Sequence, residues 1–334
     1  MLTGQIFFLT LLVAGEYLFI PSSWSRISTV HRILVPVAAT LPYIFLYACV
    51  VTKSSITPEN HAAEMASYPY DRVIFNPGRT CKTCQLSKPA RSKHCSFCKA
   101  CISRHDHHCV WLMNCVGRNN YRYFLSLLLS LSVMLTYGTC LGYVVLCQTW
   151  ERLVPRGSPL GSSRQSWTTF LDIWSVVIAT DPSVGVTFLL ALMTAPLAMA
   201  FLVYHTYLVW TGMTTNESSK WSEVKEDVSD GLLFKSTRSE IYGDSAQPDE
   251  AQKSCPSWPV SSDQVLALTD GEEPTHGGMI PPDSDEPAQE GSDSEDGTID
   301  TRWIRVRSMR EIDNIYDLGF WDNLREIFQL GVRQ

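Results

Sequence analysis

Residues 81–115 of the chain read CKTCQLSKPARSKHCSFCKACISRHDHHCVWLMNC and hold seven of its eleven cysteines and four of its eight histidines. A closed zinc site is tetrahedral and takes four thiolate or imidazole ligands, so two sites use eight of these side chains. Two pairs of the form CxxC, which chelate one ion readily, begin at Cys81 and Cys95. We predict two structural zinc sites, whose eight ligands are Cys81, Cys84, His94, Cys95, Cys98, Cys101, His108 and Cys115.

Three side chains of this stretch are left over after the two sites are filled: His105, His107 and Cys109. Cys109 ends the run Asp106-His107-His108-Cys109. The thiolate is the attacking form of cysteine, a nearby imidazole can accept the thiol proton, and a carboxylate can fix the tautomer of that imidazole. We therefore predict Cys109 as a nucleophile, His107 as its base and Asp106 as the group that orients His107.

A purely structural interpretation of the same residues stays open at this point. Clusters of cysteine and histidine at this density are typical of structural zinc, without catalysis. In its strongest form, His105, His107 and Cys109 would share a third ion, although three residues are one short of a closed site.

The ordered pattern of the stretch and its flanks resembles the cysteine-rich domain of the DHHC protein S-acyltransferases. The match includes Lys88-Pro89-x-Arg91 before the second CxxC pair and Asn114-Cys115-x-Gly117 after the Asp-His-His-Cys run. The resemblance implies that the two zinc sites interleave. One ion would be bound by Cys81, Cys84, His94 and Cys101, and the other by Cys95, Cys98, His108 and Cys115.

The same resemblance implies a reaction. The donor would be palmitoyl-CoA or a similar long-chain acyl-CoA, and Cys109 would carry the acyl group before it passes to a protein cysteine. Lys88, Arg91 and Lys93 are candidate contacts for the CoA phosphates, although any solvated basic loop offers such residues.

Four apolar stretches, nearly free of charge, are typical of membrane-spanning helices. They cover residues 2–20, 33–51, 123–150 and 184–210. A long acyl chain is costly to hold in water, so its binding cavity is expected among such helices. The predicted fold class is an all-α polytopic membrane protein with about four transmembrane helices. To these we add a small cytosolic cysteine-rich domain with short β-hairpins and two structural zinc ions, and a partly disordered cytosolic C-terminal tail.

Lysine and arginine are concentrated in the loop 52–122, which contains eleven of them and is therefore predicted to face the cytosol. The cytosol is reducing, so we expect its cysteines to be thiols or metal ligands. The first span conflicts locally with this orientation, because Arg26 and Arg32 follow it and no basic residue precedes it. An additional upstream helix would remove the conflict.

The predicted organisation has six segments. Residues 1–51 form transmembrane helices one and two, residues 52–122 form the catalytic cysteine-rich domain, and residues 123–210 form helices three and four with a luminal loop. Residues 211–238 form a juxtamembrane segment. Residues 239–300 form an acidic disordered linker that includes Ser292 and Ser294, and residues 301–334 form a C-terminal docking segment.

Two of these segments carry further resemblances. Thr214-Thr215-Asn216-Glu217 has the form of a helix cap. It also resembles a Thr-Thr-x-Glu motif that packs against the catalytic domain in DHHC enzymes. Tyr316 and Asn323 lie in a terminal segment typical of a docking helix. That segment resembles the family's C-terminal motif, which secures the membrane helices to the active-site domain.

The expected partners are a long-chain acyl-CoA, the lipid bilayer and membrane-anchored proteins with cysteines near the cytosolic membrane face, and not nucleic acid. The resemblance is closest to a fungal subgroup tied to spore-wall formation, which implies SNARE substrates and the endoplasmic reticulum membrane. Two rival functions stay open: a membrane-anchored zinc-binding adaptor without catalysis, and a lipid metallohydrolase, which needs a zinc with an open position.

Overall fold

The computed structural model describes residues 3–154, 167–242, 258–275 and 299–330. Its helices are α1 (Thr3–Ser23), α2 (Thr29–Val51), α3 (His61–Met65), α4 (Tyr121–Leu153), α5 (Trp167–Thr180), α6 (Pro182–Trp210), α7 (Thr215–Ser229), α8 (Arg238–Tyr242) and α9 (Phe320–Ile327). Its strands are β1 (Lys93–Cys95), β2 (Ala100–Ile102), β3 (His107–Cys109), β4 (Asn114–Val116), β5 (Leu233–Thr237), β6 (Gln264–Leu268) and β7 (Ile304–Arg305). One turn of 3-10 helix covers Met309–Glu311.

The chain divides into two compact units. The helical unit comprises residues 1–52, 109–114 and 120–206, and the cysteine-rich unit comprises residues 53–108, 115–119 and 207–334. Each unit is described by itself below.

The helical unit is built on α1, α2, α4 and α6, which are long and apolar enough to cross a membrane. This confirms the four predicted spans, and the protein is a multi-pass membrane protein. The observed helices extend beyond the apolar stretches because polar residues such as His31 and Arg32 continue the helical hydrogen bonding of α2. Few residues of α1 are buried, as expected for a helix whose apolar side chains face lipid.

The core of the helical unit is formed by branched aliphatic side chains, of which Val145, Leu146, Val177 and Val184 are completely buried. Val177 belongs to α5, a helix in the loop that we predicted only as a luminal connection. With 14 residues, α5 is shorter than the roughly 20 residues that cross a bilayer, so hydropathy alone did not distinguish it from loop.

Two small hairpins, in which β1 pairs with β2 and β3 with β4, lie between residues 93 and 116. The expectation of short β-hairpins is confirmed. A three-stranded sheet in the cysteine-rich unit has the strand order β6-β5-β7, and its β5–β6 pair is antiparallel with Phe234 opposite Ala267.

Strand β6 corrects the prediction that residues 239–300 form one disordered linker. Val265, Leu266 and Ala267 are buried against β5 and the core around it, so this short apolar run gains enough contact to become ordered. Ser292 and Ser294, together with most of the acidic residues of the linker, lie outside the described residues.

Candidate active site

Two clusters of four side chains gather the predicted zinc ligands in the interleaved arrangement. One contains Cys81, Cys84, His94 and Cys101, and the other contains Cys95, Cys98, His108 and Cys115. Hairpin β1–β2 explains the interleaving. His94 lies opposite Cys101 in the register, while the next residue, Cys95, points to the other face because side chains alternate along a strand.

The distances within each cluster fit a tetrahedral zinc ion. With Zn–S near 2.3 Å and Zn–N near 2.0 Å, a sulfur and a nitrogen on one ion lie roughly 3.6 Å apart. The Nδ1 atom of His94 lies 3.5, 3.4 and 3.9 Å from the sulfurs of Cys81, Cys84 and Cys101. In the second cluster the Nδ1 atom of His108 lies 3.6, 3.4 and 3.5 Å from its three sulfurs. Both clusters could therefore hold a metal ion, and four protein ligands would close each site.

The turn of the first CxxC pair favours the thiolate form that zinc binds. Burial raises the pKa of Cys81, but hydrogen bonds from the backbone N–H groups of Cys84 and Thr83, together with those from the thiols of Cys101 and Cys84, lower that pKa to about 7. Gln85 and Lys99 each follow the second cysteine of a pair and adopt a left-handed backbone, which bends the chain sharply after the ligand.

Asp106 and His107 form the orienting pair expected of a base and its carboxylate. The Nδ1 atom of His107 lies 2.6 Å from Oδ2 of Asp106, which is almost completely buried. A hydrogen bond at this nitrogen leaves Nε2 as the position that can accept a proton.

The Thr-Thr-x-Glu segment holds Asp106 directly. The backbone N–H of Thr215 donates to Oδ1 of Asp106 at 2.9 Å, and the Thr215 hydroxyl donates to Oδ2 at 2.8 Å. Thr214 caps α7, its hydroxyl accepting from the Glu217 N–H, and the same hydroxyl donates to the carbonyl of His105. The residues that cap α7 are therefore the same Thr-Thr-x-Glu residues that resemble the DHHC motif. Their hydrogen bonds hold the start of α7 against the segment before His107.

Arg91 and Glu217 form a buried ion pair beneath this segment. Nη2 of Arg91 lies 2.6 Å from Oε2 of Glu217, Nε donates to Oε1 at 2.7 Å, and both side chains are only 1% exposed. Burial lowers the pKa of Arg91, but the Glu217 carboxylate outweighs it and leaves this pKa raised. Arg91 is therefore not a solvated contact for CoA phosphates, and Lys93 is also engaged, with Oδ1 of Asn216 at 2.9 Å.

Gly212 completes the surroundings of Arg91. Its carbonyl accepts from Nη2 of Arg91 at 2.8 Å, and its φ of +64° is left-handed. A Cβ atom at this position would lie 2.5 Å from the carbonyl oxygen of Tyr316, so this close approach requires glycine.

The two C-terminal residues singled out by the sequence are both buried in polar contacts. The Tyr316 hydroxyl donates to the carbonyl of Pro69 at 2.8 Å, and its ring lies 4.4 Å from the Arg91 guanidinium carbon. Nδ2 of Asn323 donates to the carbonyl of Val209, near the end of α6, at 3.0 Å. Sequence reasoning named these residues, but gave no signal for their partners, which lie far away along the chain.

Cys109 lies in neither four-residue cluster and is 8% exposed. It lines a cavity of about 710 Å³ within the helical unit, together with Trp111, Leu112 and mostly apolar residues of α1, α2, α4 and α6. The volume lies within the roughly 300–1,000 Å³ typical of ligand pockets. The cavity was expected from acyl-chain chemistry, whereas its lining could not be derived from helical periodicity.

The chain is similar to known proteins along most of its length. The model of the DHHC palmitoyltransferase family matches residues 74–222. Palmitoyltransferase swf1 of Aspergillus fumigatus is 64% identical over 99% of this chain and 87% of that protein. The Neurospora crassa palmitoyltransferase of the same name is 38% identical over 98% of this chain and 74% of that protein. The Saccharomyces cerevisiae one is 26% identical over 88% and 74%.

These relatives confirm the resemblance to the fungal subgroup and decide between the rival functions, since each is named for acyl transfer. Long similarity of this kind covers the membrane helices as well as the cysteine-rich segment. The chain belongs to the DHHC palmitoyltransferase family and is a membrane-bound protein S-acyltransferase.

Proposed function

We propose that Cys109 carries the acyl group between a long-chain acyl-CoA, typically palmitoyl-CoA, and cysteines of membrane-anchored proteins. The observation that carries this proposal is the position of Cys109 in the wall of an apolar cavity among the long helices. Burial of an acyl chain is favourable by about 0.8 kcal/mol per CH₂ group, so such a cavity can hold the tail while its thioester stays beside the thiol.

The first step forms the acyl-enzyme. His107 accepts the thiol proton of Cys109 at Nε2, and the thiolate attacks the thioester carbonyl of the donor. The bond between the acyl carbon and the CoA sulfur breaks, and the CoA thiolate takes the proton back from His107. Asp106, fixed by Thr215, keeps Nδ1 protonated and stabilises the charged imidazole in between.

The second step transfers the acyl group to the substrate. A substrate cysteine gives its proton to His107 and attacks the carbonyl of the acyl-enzyme. The bond to the Cys109 sulfur breaks, and this sulfur is reprotonated by His107. Two successive displacements at one thiol give ping-pong kinetics.

We assign the two clusters as structural zinc sites with the ligands named above. Zinc held by these residues would cross-link the hairpins and the CxxC turns, and four protein ligands would leave no position for water. A fixed hairpin β3–β4 in turn holds His107 and Cys109, which are alternate residues of one strand and therefore share a face.

The wider setting is also a proposal. We place the catalytic domain at residues 52–122 and on the cytosolic side, on the support of its eleven basic residues. Transmembrane segments 1–51 and 123–210 flank this domain, and segments 211–238 and 301–334 support it. The resemblance to the fungal subgroup supports SNAREs as substrates and the endoplasmic reticulum as the membrane.

The test is acylation of the purified protein by a clickable palmitoyl-CoA analogue, with the modified cysteine mapped by mass spectrometry. We expect a hydroxylamine-sensitive label on Cys109 that Cys109→Ser abolishes while bound zinc stays near two per chain. The matched control is Cys140→Ser, a cysteine exposed on α4. Label that persists on Cys109→Ser would exclude this nucleophile, and normal zinc with no label on the wild-type protein would favour the adaptor.

A further inference from the structure

The cavity that Cys109 lines contains few polar side chains, and most of them have a partner. The hydroxyls of Thr187 and Thr194 each donate to a carbonyl of their own helix at 2.7 Å. The hydroxyl of Tyr137 lies 2.7 Å from Nδ1 of His31. None of these groups needs a ligand to satisfy it.

Glu16 differs from the other polar residues in the wall. Its Oε2 accepts a hydrogen bond from the Tyr43 hydroxyl at 3.0 Å. Its Oε1 is buried and has no hydrogen-bond partner among the described residues. An unsatisfied buried oxygen costs about 1–3 kcal/mol, and ionisable residues inside membrane spans are rare unless they serve a function.

The position of Glu16 along α1 determines which part of a bound acyl chain would lie beside it. Gly4, near the start of α1, packs so closely on Val110 that an added Cβ would lie 3.1 Å from the Val110 carbonyl oxygen. Val110 follows Cys109 in the chain. Glu16 lies twelve residues after Gly4, which is about 18 Å along a helix. One leaflet of the hydrocarbon core is about 15 Å deep, so a lipid-length chain held at Cys109 would bring its distal half to Glu16.

We propose that Glu16 is a specificity-determining residue that recognises acyl donors with a hydroxyl group in the distal half of the chain. This inference rests on the proposed acyl transfer at Cys109. A chain hydroxyl can donate to Oε1, which the Tyr43 contact leaves available. The ligand class is a hydroxylated long-chain acyl-CoA, and the unsubstituted chain leaves the oxygen unsatisfied.

The experiment compares stearoyl-CoA, 12-hydroxystearoyl-CoA and 2-hydroxystearoyl-CoA as donors to the purified full chain. The rate of acyl-enzyme formation on Cys109 is measured as kcat/KM for each donor. We expect the ratio for the 12-hydroxy donor over stearoyl-CoA to fall about tenfold in Glu16→Leu, the effect of one hydrogen bond. The ratio for the 2-hydroxy donor should not change, because its hydroxyl lies next to the thioester.

Two further variants separate recognition from helix packing. Tyr43→Phe removes the contact between α1 and α2 but keeps the carboxyl, so it should keep the preference for the 12-hydroxy donor. Glu16→Gln keeps an acceptor oxygen and should therefore keep part of the preference for the 12-hydroxy donor. Leucine at position 16 favours membrane insertion, so Glu16→Leu is expected to fold.

The inference is overturned if Glu16→Leu and the wild-type protein have the same ratio while both label Cys109. It is also overturned if Tyr43→Phe loses the preference to the same extent, because Glu16 would then act through the helix contact. If no donor labels Cys109 in any variant, the proposed acyl transfer fails, and the recognition of hydroxyl groups fails with it.

Discussion

The helical unit and the cysteine-rich unit both have an apolar core, but the charged side chains that are buried among the described residues all lie in the cysteine-rich unit. Aliphatic residues such as Val145 and Val184 form the core of the first. The second buries charged groups, including Arg91, Glu217 and Asp106, each of which is satisfied by partners far away in the sequence. Apolar packing tolerates many substitutions of similar volume, whereas a buried charge depends on a particular partner. The cysteine-rich unit should therefore be the more sensitive to single changes.

The largest effect is expected from the zinc clusters. Cys101→Ser removes a thiolate opposite His94 in hairpin β1–β2. Because this hairpin also supplies Cys95 to the other cluster, we expect bound zinc to fall from two to below one per chain. Acyl-enzyme formation should fall by at least about a hundredfold, since structural zinc contributes most of the stability of such small domains.

The measurement is zinc content by mass spectrometry together with acylation of Cys109, with Cys147→Ser on α4 as a control outside both clusters. Cys101→Ser protein that retained two zinc ions and full activity would contradict the assignment of the first site.

The buried ion pair should give the next largest effect. Arg91→Met leaves the Glu217 carboxylate buried and unpaired, which costs about 3–5 kcal/mol. The double variant Arg91→Met/Glu217→Leu should recover part of this loss. Arg325→Met, at an ion pair that is about one-third exposed, should change stability by only about 0–1 kcal/mol. Thermal unfolding in detergent is measured for all three variants. Equal losses of stability in Arg91→Met and Arg325→Met would contradict the expected difference between a buried and an exposed ion pair.

A smaller effect is expected at the contact between α7 and Asp106. Thr215→Val removes the hydroxyl donor but keeps the backbone N–H, so the rate of acyl-enzyme formation should fall about tenfold. The variant should also shift the pH profile of that rate, because a less firmly held Asp106 stabilises the charged His107 less well. Thr215→Ser should restore both.

Thr211→Val provides the matched control, since the Thr211 hydroxyl donates to the Tyr207 carbonyl at the end of α6 and does not contact Asp106. A rate loss in Thr215→Val without any change in the pH profile would indicate a purely structural contact.

An effect confined to one pH range, and to stability alone, concerns Asp71, a buried acid whose Oδ1 accepts from the backbone of Phe75 at 2.8 Å. Burial raises the pKa of Asp71 from 3.8 to about 7, against the opposing N–H groups of Phe75 and Val73. The folded state therefore binds more protons than the unfolded state between these values. Its stability falls as the pH rises through this window, by at most about 1.4 kcal/mol per pH unit.

Asp71→Asn keeps the acceptor oxygen but cannot ionise, so it should lose this component of the pH dependence. Melting temperatures of the two proteins from pH 5 to 8 should differ most at the alkaline end, with the variant more stable there. Asp270 is an exposed acid, so Asp270→Asn should show the same dependence of melting temperature on pH as the wild-type protein. Parallel curves for the wild-type protein and Asp71→Asn would show that Asp71 does not titrate in this range.

The same contrast between the units explains what the sequence could predict. Hydropathy located the four membrane helices because apolar length is a local property, and ligand spacing identified the zinc clusters for the same reason. Strand β6 and helix α5 were missed, since short apolar runs become ordered only through packing that the sequence does not state. The pairing of Arg91 with Glu217 spans 126 residues, and no local pattern predicts it. Thr215 was recognised only as part of a motif, and not as a hydrogen-bond donor to Asp106.

The contact between Tyr316 and Pro69 has a consequence for biosynthesis. The two residues lie 247 positions apart, so at about 5–20 residues per second a ribosome needs roughly 12–50 s to complete this contact after Pro69 is made. For most of that interval the nascent chain already contains Cys109 but lacks this contact. Residues 81–115 are therefore synthesised, and can begin to fold, before the contact with Tyr316 is available.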